Sequence, residues 1–248
     1  MSNELTRRTL FKAAGVAGAA AIAKPAAAEE QAGAQATAGN AQSSEAEVMA
    51  FLNEAEVAFL RAAVDRLIPP DAQWPGAADA GVVTYIDRQL ASAWGAGSKM
   101  YLKGPWDPDA PSQQGYQLRF SPAELYRVSI REIGEAVATM HDGRAFHELE
   151  DGQMDETLKA LESGDLTLPS VPSPVFFETL LANTMEGWFA DPSHGGNRNM
   201  VGWRMVGFPG AYAQYIDLVE RHGIAFEREP VSIADGAART AHISAHAK

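Results

Sequence analysis

Ser173-Pro-Val-Phe-Phe-Glu-Thr-Leu-Leu-Ala-Asn-Thr-Met-Glu-Gly-Trp-Phe189 is the stretch of sequence that decides the fold. Its large apolar side chains recur at the three- and four-residue spacing of an α-helix. Ser173 followed by proline is a typical helix start, and Asp191-Pro192 ends the segment. We therefore predict that this stretch forms the most apolar helix of an α-helical protein.

Apolar periodicity and capping residues predict further helices on both sides of this one. They run from Asn53 to Pro69, from about Asp79 to Trp94, from Ser121 to about Met140, as a pair from Phe146 to Gly164, and from Pro209-Gly210 to His222-Gly223. Two long connections, 95–120 and 193–207, lie between them, and no segment alternates like a β-strand. The predicted fold class is mainly α: an irregular multi-helix domain with long ordered loops.

The amino terminus has the pattern of a signal for the twin-arginine translocase. Arg7 and Arg8 stand within Thr6-Arg-Arg-Thr-Leu-Phe-Lys12, and the weakly apolar stretch that follows is too short to span a bilayer. Ala26-Ala-Ala28 before Glu29 is an A-x-A cleavage site, so we expect a cut between Ala28 and Glu29. We expect a periplasmic mature protein; the alternatives are an uncut signal and a chance arginine pair in a cytosolic protein.

The sequence divides into four parts. Residues 1–28 are the predicted signal peptide, 29–47 a flexible linker, 48–226 a single α-helical domain, and 227–248 a polar tail. The formal net charge is −12, and it becomes −15 after the signal, which holds four basic and one acidic side chain. Such an acidic protein lacks the basic surface that nucleic acids or anionic lipids require.

Several kinds of chemistry are excluded by what the sequence lacks. It contains no cysteine, so it forms no disulfide, thiolate metal site or covalent haem attachment. It contains no P-loop, dinucleotide-binding fingerprint or G-x-S-x-G nucleophile turn. No stretch approaches the length of a membrane span. We therefore assign no catalytic, cofactor-binding or metal-binding residue, and expect any link to the membrane to come through a partner.

Asp191-Pro-Ser-His-Gly-Gly-Asn-Arg-Asn-Met-Val-Gly-Trp-Arg-Met-Val-Gly-Phe-Pro-Gly210, here called the hallmark segment, is the most unusual stretch of the chain. Its aromatic and arginine residues are of the types enriched at interface hot spots. We predict a partner interface, with Arg198, Trp203 and Phe208 as its anchors. The full predicted set is Trp106, Gly195, Gly196, Asn197, Arg198, Trp203, Phe208 and Pro209. The alternative is a structural loop that packs on its own core.

The hallmark segment resembles the signature of the gluconate 2-dehydrogenase small subunit family, also called subunit 3. The resemblance extends from about residue 51 to 223. Further matching elements occur in order along the chain: Leu67-Ile-Pro69, Pro75-Gly-Ala77, Tyr85-Ile-Asp87, Gly104-Pro-Trp106, Ser121-Pro122, Phe176-Phe177 and Glu186-Gly187.

The resemblance implies a subunit of a three-part bacterial dehydrogenase, without a cofactor or catalytic residues of its own. In such complexes an FAD-containing large subunit oxidises the sugar or sugar acid. A multihaem cytochrome c subunit anchors the complex and passes electrons to quinone. The small subunit binds the flavoprotein, and its twin-arginine signal exports both.

The sequence thus predicts a non-catalytic assembly and export subunit that is membrane-associated through a partner. One alternative is a stand-alone periplasmic enzyme or small-ligand-binding protein. Another is a monomeric periplasmic structural protein without a partner. The substrate of the complex depends on the partner's pocket and cannot be derived from this chain.

Overall fold

The computed structural model of the chain describes residues 48–107, 110–211, 220–223 and 228–235. Six α-helices are found there: α1 Glu54–Leu67, α2 Val82–Leu90, α3 Pro122–Met140, α4 Asp151–Ser163, α5 Ser173–Phe189 and α6 Val201–Val206. The same residues contain no β-strand, which confirms the mainly α fold class, and no helix long and apolar enough to cross a membrane.

Four predictions fall on residues that the structure does not describe. They concern Arg7 and Arg8, the cleavage site between Ala28 and Glu29, the linker 29–47, and the core of the predicted last helix at 212–219.

Helix α5 lies at the centre of the domain, as its composition suggests. It packs against α1, α2, α3, α4 and α6. Phe176, Leu180 and Trp188 are fully buried along its length. The Phe176 ring meets the ring of Tyr126 from α3 edge-on, with centroids 5.5 Å apart. Burying such large apolar side chains is the main favourable contribution to folding.

Two helix starts form as their local sequences predict. Asn53 accepts from the Glu56 backbone N–H at 3.0 Å, and the Glu56 carboxylate accepts from the Asn53 N–H at 2.9 Å. Ser121 and Glu124 form the same reciprocal capping box at the start of α3. Each box satisfies backbone donors that the first turn of a helix leaves unpaired.

Helix α2 is shorter than the predicted span of Asp79 to Trp94. Gly81 has φ +83° and stands directly before the first helical residue. At the other end the Gly95 N–H bonds to the Gln89 carbonyl, and a Cβ at Gly95 would lie on the Leu90 carbonyl oxygen. The two glycines turn the chain sharply, which limits the helix to nine residues.

The carboxyl-terminal part of the fold differs from its sequence interpretation. The predicted loop 193–207 contains helix α6, which begins after two residues with positive φ, Asn199 and Met200. Residues 228–235 begin inside the predicted polar tail, yet Val231 is buried and forms a parallel bridge to Gly210. Both features depend on contacts between segments far apart in sequence, which local periodicity does not report.

Candidate partner interface

Two glycines of the hallmark segment lie directly on the backbone of α5. A Cβ at Gly196 would be 2.2 Å from the carbonyl oxygen of Gly187, and one at Gly202 would be 2.2 Å from that of Trp188. Both distances are far shorter than any van der Waals contact. Only residues without a side chain allow this approach, so these positions serve the packing of the chain itself.

Asn197 connects the end of α5 to the start of α6. Its side chain is fully buried and its backbone adopts the left-handed conformation, with φ +47°. The amide nitrogen donates to the Ala190 carbonyl at 2.9 Å, and the amide oxygen accepts from the Gly202 N–H at 2.8 Å. Asparagine suits this position because it tolerates the left-handed region and satisfies both backbone groups.

Arg198 and Gly195 hold the segment on the beginning of α2. The Arg198 N–H donates to the Ala80 carbonyl at 2.9 Å, and its guanidinium donates to the Thr84 hydroxyl at 3.2 Å. A Cβ on Gly81 would lie 2.6 Å from the Gly195 carbonyl oxygen. The hallmark segment is therefore a clamp that joins the start of α2 to the end of α5.

Trp203 anchors the segment to its own core, not to a surface open to a partner. It is 6% exposed, its indole N–H donates to the Phe189 carbonyl at 2.7 Å, and the Phe208 ring meets it edge-on. Trp203, Gly196 and Asn197 are buried within the chain, as expected for a structural loop that packs on its own core, and their place at a partner interface stays a prediction. Phe208, by contrast, is 47% exposed, and Pro209 is partly exposed, so both remain candidates for a partner contact.

Asp191 fastens residues 232–233 to the beginning of the hallmark segment. Its carboxylate accepts from the Ser193 N–H at 3.0 Å, the Ser232 hydroxyl at 2.8 Å and the Ile233 N–H at 2.8 Å. The bond from Ser193 is predictable from the local sequence Asp-Pro-Ser, because an aspartate side chain commonly accepts from the backbone N–H two residues later. No sequence signal identifies the bonds to residues more than 40 positions away.

The protonation of Asp191 is coupled to these hydrogen bonds. Burial by itself would raise the pKa of Asp191, but the bonds from Ile233, Ser193 and Ser232 hold it below the ordinary 3.8. A carboxylate with a lowered folded-state pKa stabilises the fold above its unfolded-state pKa. That contribution is lost as the pH falls through the lowered value.

Residues 91–120, here called the aromatic arm, connect α2 to α3 and carry most of the exposed aromatic side chains described. Tyr101 is 80% exposed and Trp106 is 38% exposed, and with Tyr116 they line a groove of about 500 Å³. The Tyr116 hydroxyl donates to the Phe120 carbonyl at 2.8 Å. Burial, together with the charge of Glu124, raises the pKa of Tyr116 to about 12, so this donor keeps its proton at neutral pH.

A cluster of polar side chains connects the three helices α2, α3 and α5. The Tyr126 hydroxyl donates to Asn183 at 2.8 Å, and Asn183 donates to Glu186 at 3.0 Å. Tyr85 also donates to Glu186, at 3.3 Å, and burial followed by the Glu186 charge raises the pKa of Tyr85 to about 12. A phenol with that pKa is a poor general base at neutral pH.

Within the described residues, no group of three or more His, Cys, Asp and Glu side chains is placed to hold a metal ion.

Residues 48–52, here called the N-terminal tether, are fixed to α2 by one buried carboxylate. Asp87 accepts from the backbone N–H groups of Ala50 at 2.7 Å and of Phe51 and Leu52 at 2.9 Å each. Sequence reasoning missed this role, because one aspartate in a helix does not reveal that it receives a distant segment. The bonds place the start of the described chain against the body of the domain.

Comparison with known proteins assigns the family. A family model described as gluconate 2-dehydrogenase subunit 3 matches residues 54–210, from the first residue of α1 to the last of the hallmark segment. No curated protein and no solved structure matches the chain significantly. The matched range covers more than half of the 248 residues and contains all six described helices. The chain therefore belongs to the gluconate 2-dehydrogenase subunit 3 family.

Proposed function

We propose that this chain is the non-catalytic small subunit of a periplasmic FAD-dependent sugar or sugar-acid dehydrogenase. Its role is to assemble with the flavoprotein subunit and to carry it through the twin-arginine translocase. FAD belongs to the large subunit and haem c to a cytochrome subunit that anchors the complex. The observation that carries the proposal is the exposed aromatic arm, on a domain whose family is that of a dehydrogenase subunit.

The aromatic arm is better suited than the hallmark segment to contact the flavoprotein directly. Tyr101, Trp106 and Tyr116 present aromatic surface to solvent around one groove. Aromatic side chains that order few torsions on binding are favoured as hot spots. The hallmark segment supports this surface from a distance by clamping α2, from which the arm begins, to α5.

The export role rests on Arg7 and Arg8 together with the N-terminal tether. The translocase accepts folded proteins, so a flavoprotein bound to this domain would cross with it. The bonds of Asp87 hold residues 50–52, directly before α1, against α2. The described domain thus begins with a segment that is fixed to its own core, which suits a domain that crosses in the folded state with a bound partner.

Deletion of this chain from its host is expected to leave the flavoprotein inactive in the cytoplasm. The flavoprotein would remain in the cytoplasm because, under this proposal, the twin-arginine signal of this chain exports both subunits. The measurement is dye-linked sugar dehydrogenase activity, together with flavoprotein immunoblots, in periplasmic and cytoplasmic fractions. Complementation with wild type should restore periplasmic activity.

The matched control is complementation with an Arg7→Lys, Arg8→Lys variant, which should form the complex but retain it in the cytoplasm. Normal periplasmic activity in the deletion strain would refute the proposal. A flavin spectrum or a stoichiometric metal in the isolated chain would instead favour the stand-alone enzyme or small-ligand-binding protein.

A Trp106→Ala variant is expected to weaken the complex with the flavoprotein while leaving the fold intact. A true hot-spot tryptophan contributes about 2 kcal/mol or more to binding. Trp106 is 38% exposed, so its truncation should change the midpoint of denaturation little. The measurements are the dissociation constant by titration with purified flavoprotein and thermal unfolding. Met140→Ala, which removes an exposed side chain at the end of α3, is the control. Equal affinities of the two variants would exclude Trp106 from the interface.

A further inference from the structure

A second groove lies between the first half of α1, the middle of α3 and the turn 143–147. It measures about 500 Å³ and shares no lining residue with the hallmark segment or the aromatic arm. Phe59, Ile130 and Phe146 form its floor and are themselves almost fully buried. The rings of Phe59 and Phe146 are 4.9 Å apart between centroids, so the floor is packed without a ligand. The groove is therefore a preformed apolar surface.

Gly134 leaves space in this groove that the chain does not use. It lies inside α3, where glycine makes a helix less stable than alanine does. A Cβ at Gly134 would meet no atom within 4 Å. Gly187 of α5 differs, because the Tyr85 ring packs where its side chain would be, 3.0 Å from the ideal Cβ. Gly134 thus has no packing reason within the described chain, and its position suits close approach by another molecule.

Three arginines surround the groove in a chain whose formal net charge is −12. Arg127 lies 3.6 Å from the buried Glu56, the one carboxylate among the lining residues. Arg131 forms two long pairs, at 3.7 and 3.9 Å, with carboxylates of its own helix. Arg144 donates to the His141 carbonyl at 3.4 Å. Guanidinium groups bind carboxylates through two parallel hydrogen bonds, so the rim is complementary to an acidic ligand.

We propose that this groove binds an acidic amphipathic helix of the flavoprotein subunit. An apolar side chain of that helix lies over Gly134, and its carboxylates pair with Arg131 and Arg144. The lined face of α3 spans residues 127–138, about three helical turns, which suits a short helix laid alongside it. A free sugar acid matches less well, because the apolar floor would leave its hydroxyl groups unpaired. The inference rests on the proposed function, since it names a contact within the same complex.

Gly134→Leu is the sharpest test, because it fills the groove without removing any contact of the chain. Its free subunit should melt at or above the wild-type temperature, since leucine favours the helix. Its affinity for the flavoprotein should fall about 30-fold or more, the effect of losing one hot-spot contact. The matched control is Gly152→Leu, an exposed glycine in the first turn of α4 with no atom within 4 Å of its Cβ position. Bound FAD per tagged full-length chain, purified from the native host, gives a second readout.

The charge contribution is tested by Arg144→Glu against Lys159→Glu, an equal charge change on an exposed residue of α4. Only Arg144→Glu should weaken the complex. Raising the salt concentration should reduce the difference in flavoprotein affinity between Arg144→Glu and Lys159→Glu, because salt screens the charges. A photo-cross-linking residue at Ala138 should attach to a flavoprotein peptide with Asp or Glu beside apolar residues.

Three results would refute the proposed role of the groove while leaving the proposed function intact. The first is wild-type FAD content in both Gly134→Leu and Arg144→Glu. The others are a cross-linked peptide without acidic residues and a cross-linked peptide from a second copy of this chain. A wild-type chain that carries no flavoprotein would overturn both the groove and the proposed function.

Discussion

A Gly196→Ala variant is expected to lose about 4 kcal/mol or more of its free energy of unfolding, a large part of the stability of an ordinary domain. The added Cβ would meet the oxygen, carbon and Cα of Gly187 at 2.2, 2.9 and 3.1 Å. All three are backbone atoms, so no side-chain rotation relieves the clash. The hallmark segment must lift from α5, and the buried Asn197 then loses its partners at about 1–3 kcal/mol for each unsatisfied group.

Denaturant titration of the mature chain, followed by tryptophan fluorescence, measures this loss. Gly207→Ala is the control within the same segment. Gly207 has φ +69°, but a Cβ there meets nothing within 4 Å, so only the left-handed backbone penalty of about 1–2 kcal/mol applies. A Gly196→Ala midpoint close to that of Gly207→Ala would show that the contact with α5 does not hold the fold.

An Asp87→Ala variant is expected to release the N-terminal tether and to lower the free energy of unfolding by about 3 kcal/mol. It leaves the backbone N–H groups of Ala50, Phe51 and Leu52 without their acceptor, in surroundings that bury Leu52. Hydrogen exchange at these three amides should become fast while amides of α5 remain protected. Limited proteolysis should cut the chain near residue 50.

The free energy of unfolding of Asp87→Asn should lie between those of Asp87→Ala and the wild type, because the amide oxygen of asparagine still accepts hydrogen bonds. Asp79→Ala, which removes an exposed carboxylate near the start of α2, controls for the loss of charge. Unchanged exchange at residues 50–52 in Asp87→Ala would contradict the role assigned to this carboxylate.

Helix starts were the part of the fold that sequence reasoning predicted best. The capping boxes at Asn53 and Ser121 involve residues three positions apart, so the local sequence contains all the interacting groups. The apolar periodicity of Ser173–Phe189 likewise predicted a buried helix, and α5 has those bounds. Such features require no knowledge of how distant segments meet.

Features built from distant contacts were not predictable in this way. Helix α6 has no side-chain cap at Met200, and it is placed by the contacts of Gly202 and Trp203 with the end of α5, about 14 positions earlier. Asp191 binds residues 232–233 and Asp87 binds residues 50–52, and both segments are more than 30 positions away along the chain. Trp203 was predicted at an interface because tryptophan is common there, but the structure buries its side chain and pairs its indole N–H with the Phe189 carbonyl. Residue type alone indicates that a side chain can make strong contacts, but it does not show whether those contacts are with a partner or with the chain's own core.

The close approach of Gly196 to the backbone of α5 has a consequence for how relatives of this chain should be compared. A contact between main-chain atoms is the same whatever substrate the complex oxidises. Two chains could therefore share the hallmark segment residue for residue and still serve dehydrogenases of different specificity. Differences that decide which flavoprotein is recognised are expected in the aromatic arm and around Gly134, where side chains face outward. The buried part of the hallmark segment is thus uninformative about the partner, however recognisable it is in the sequence.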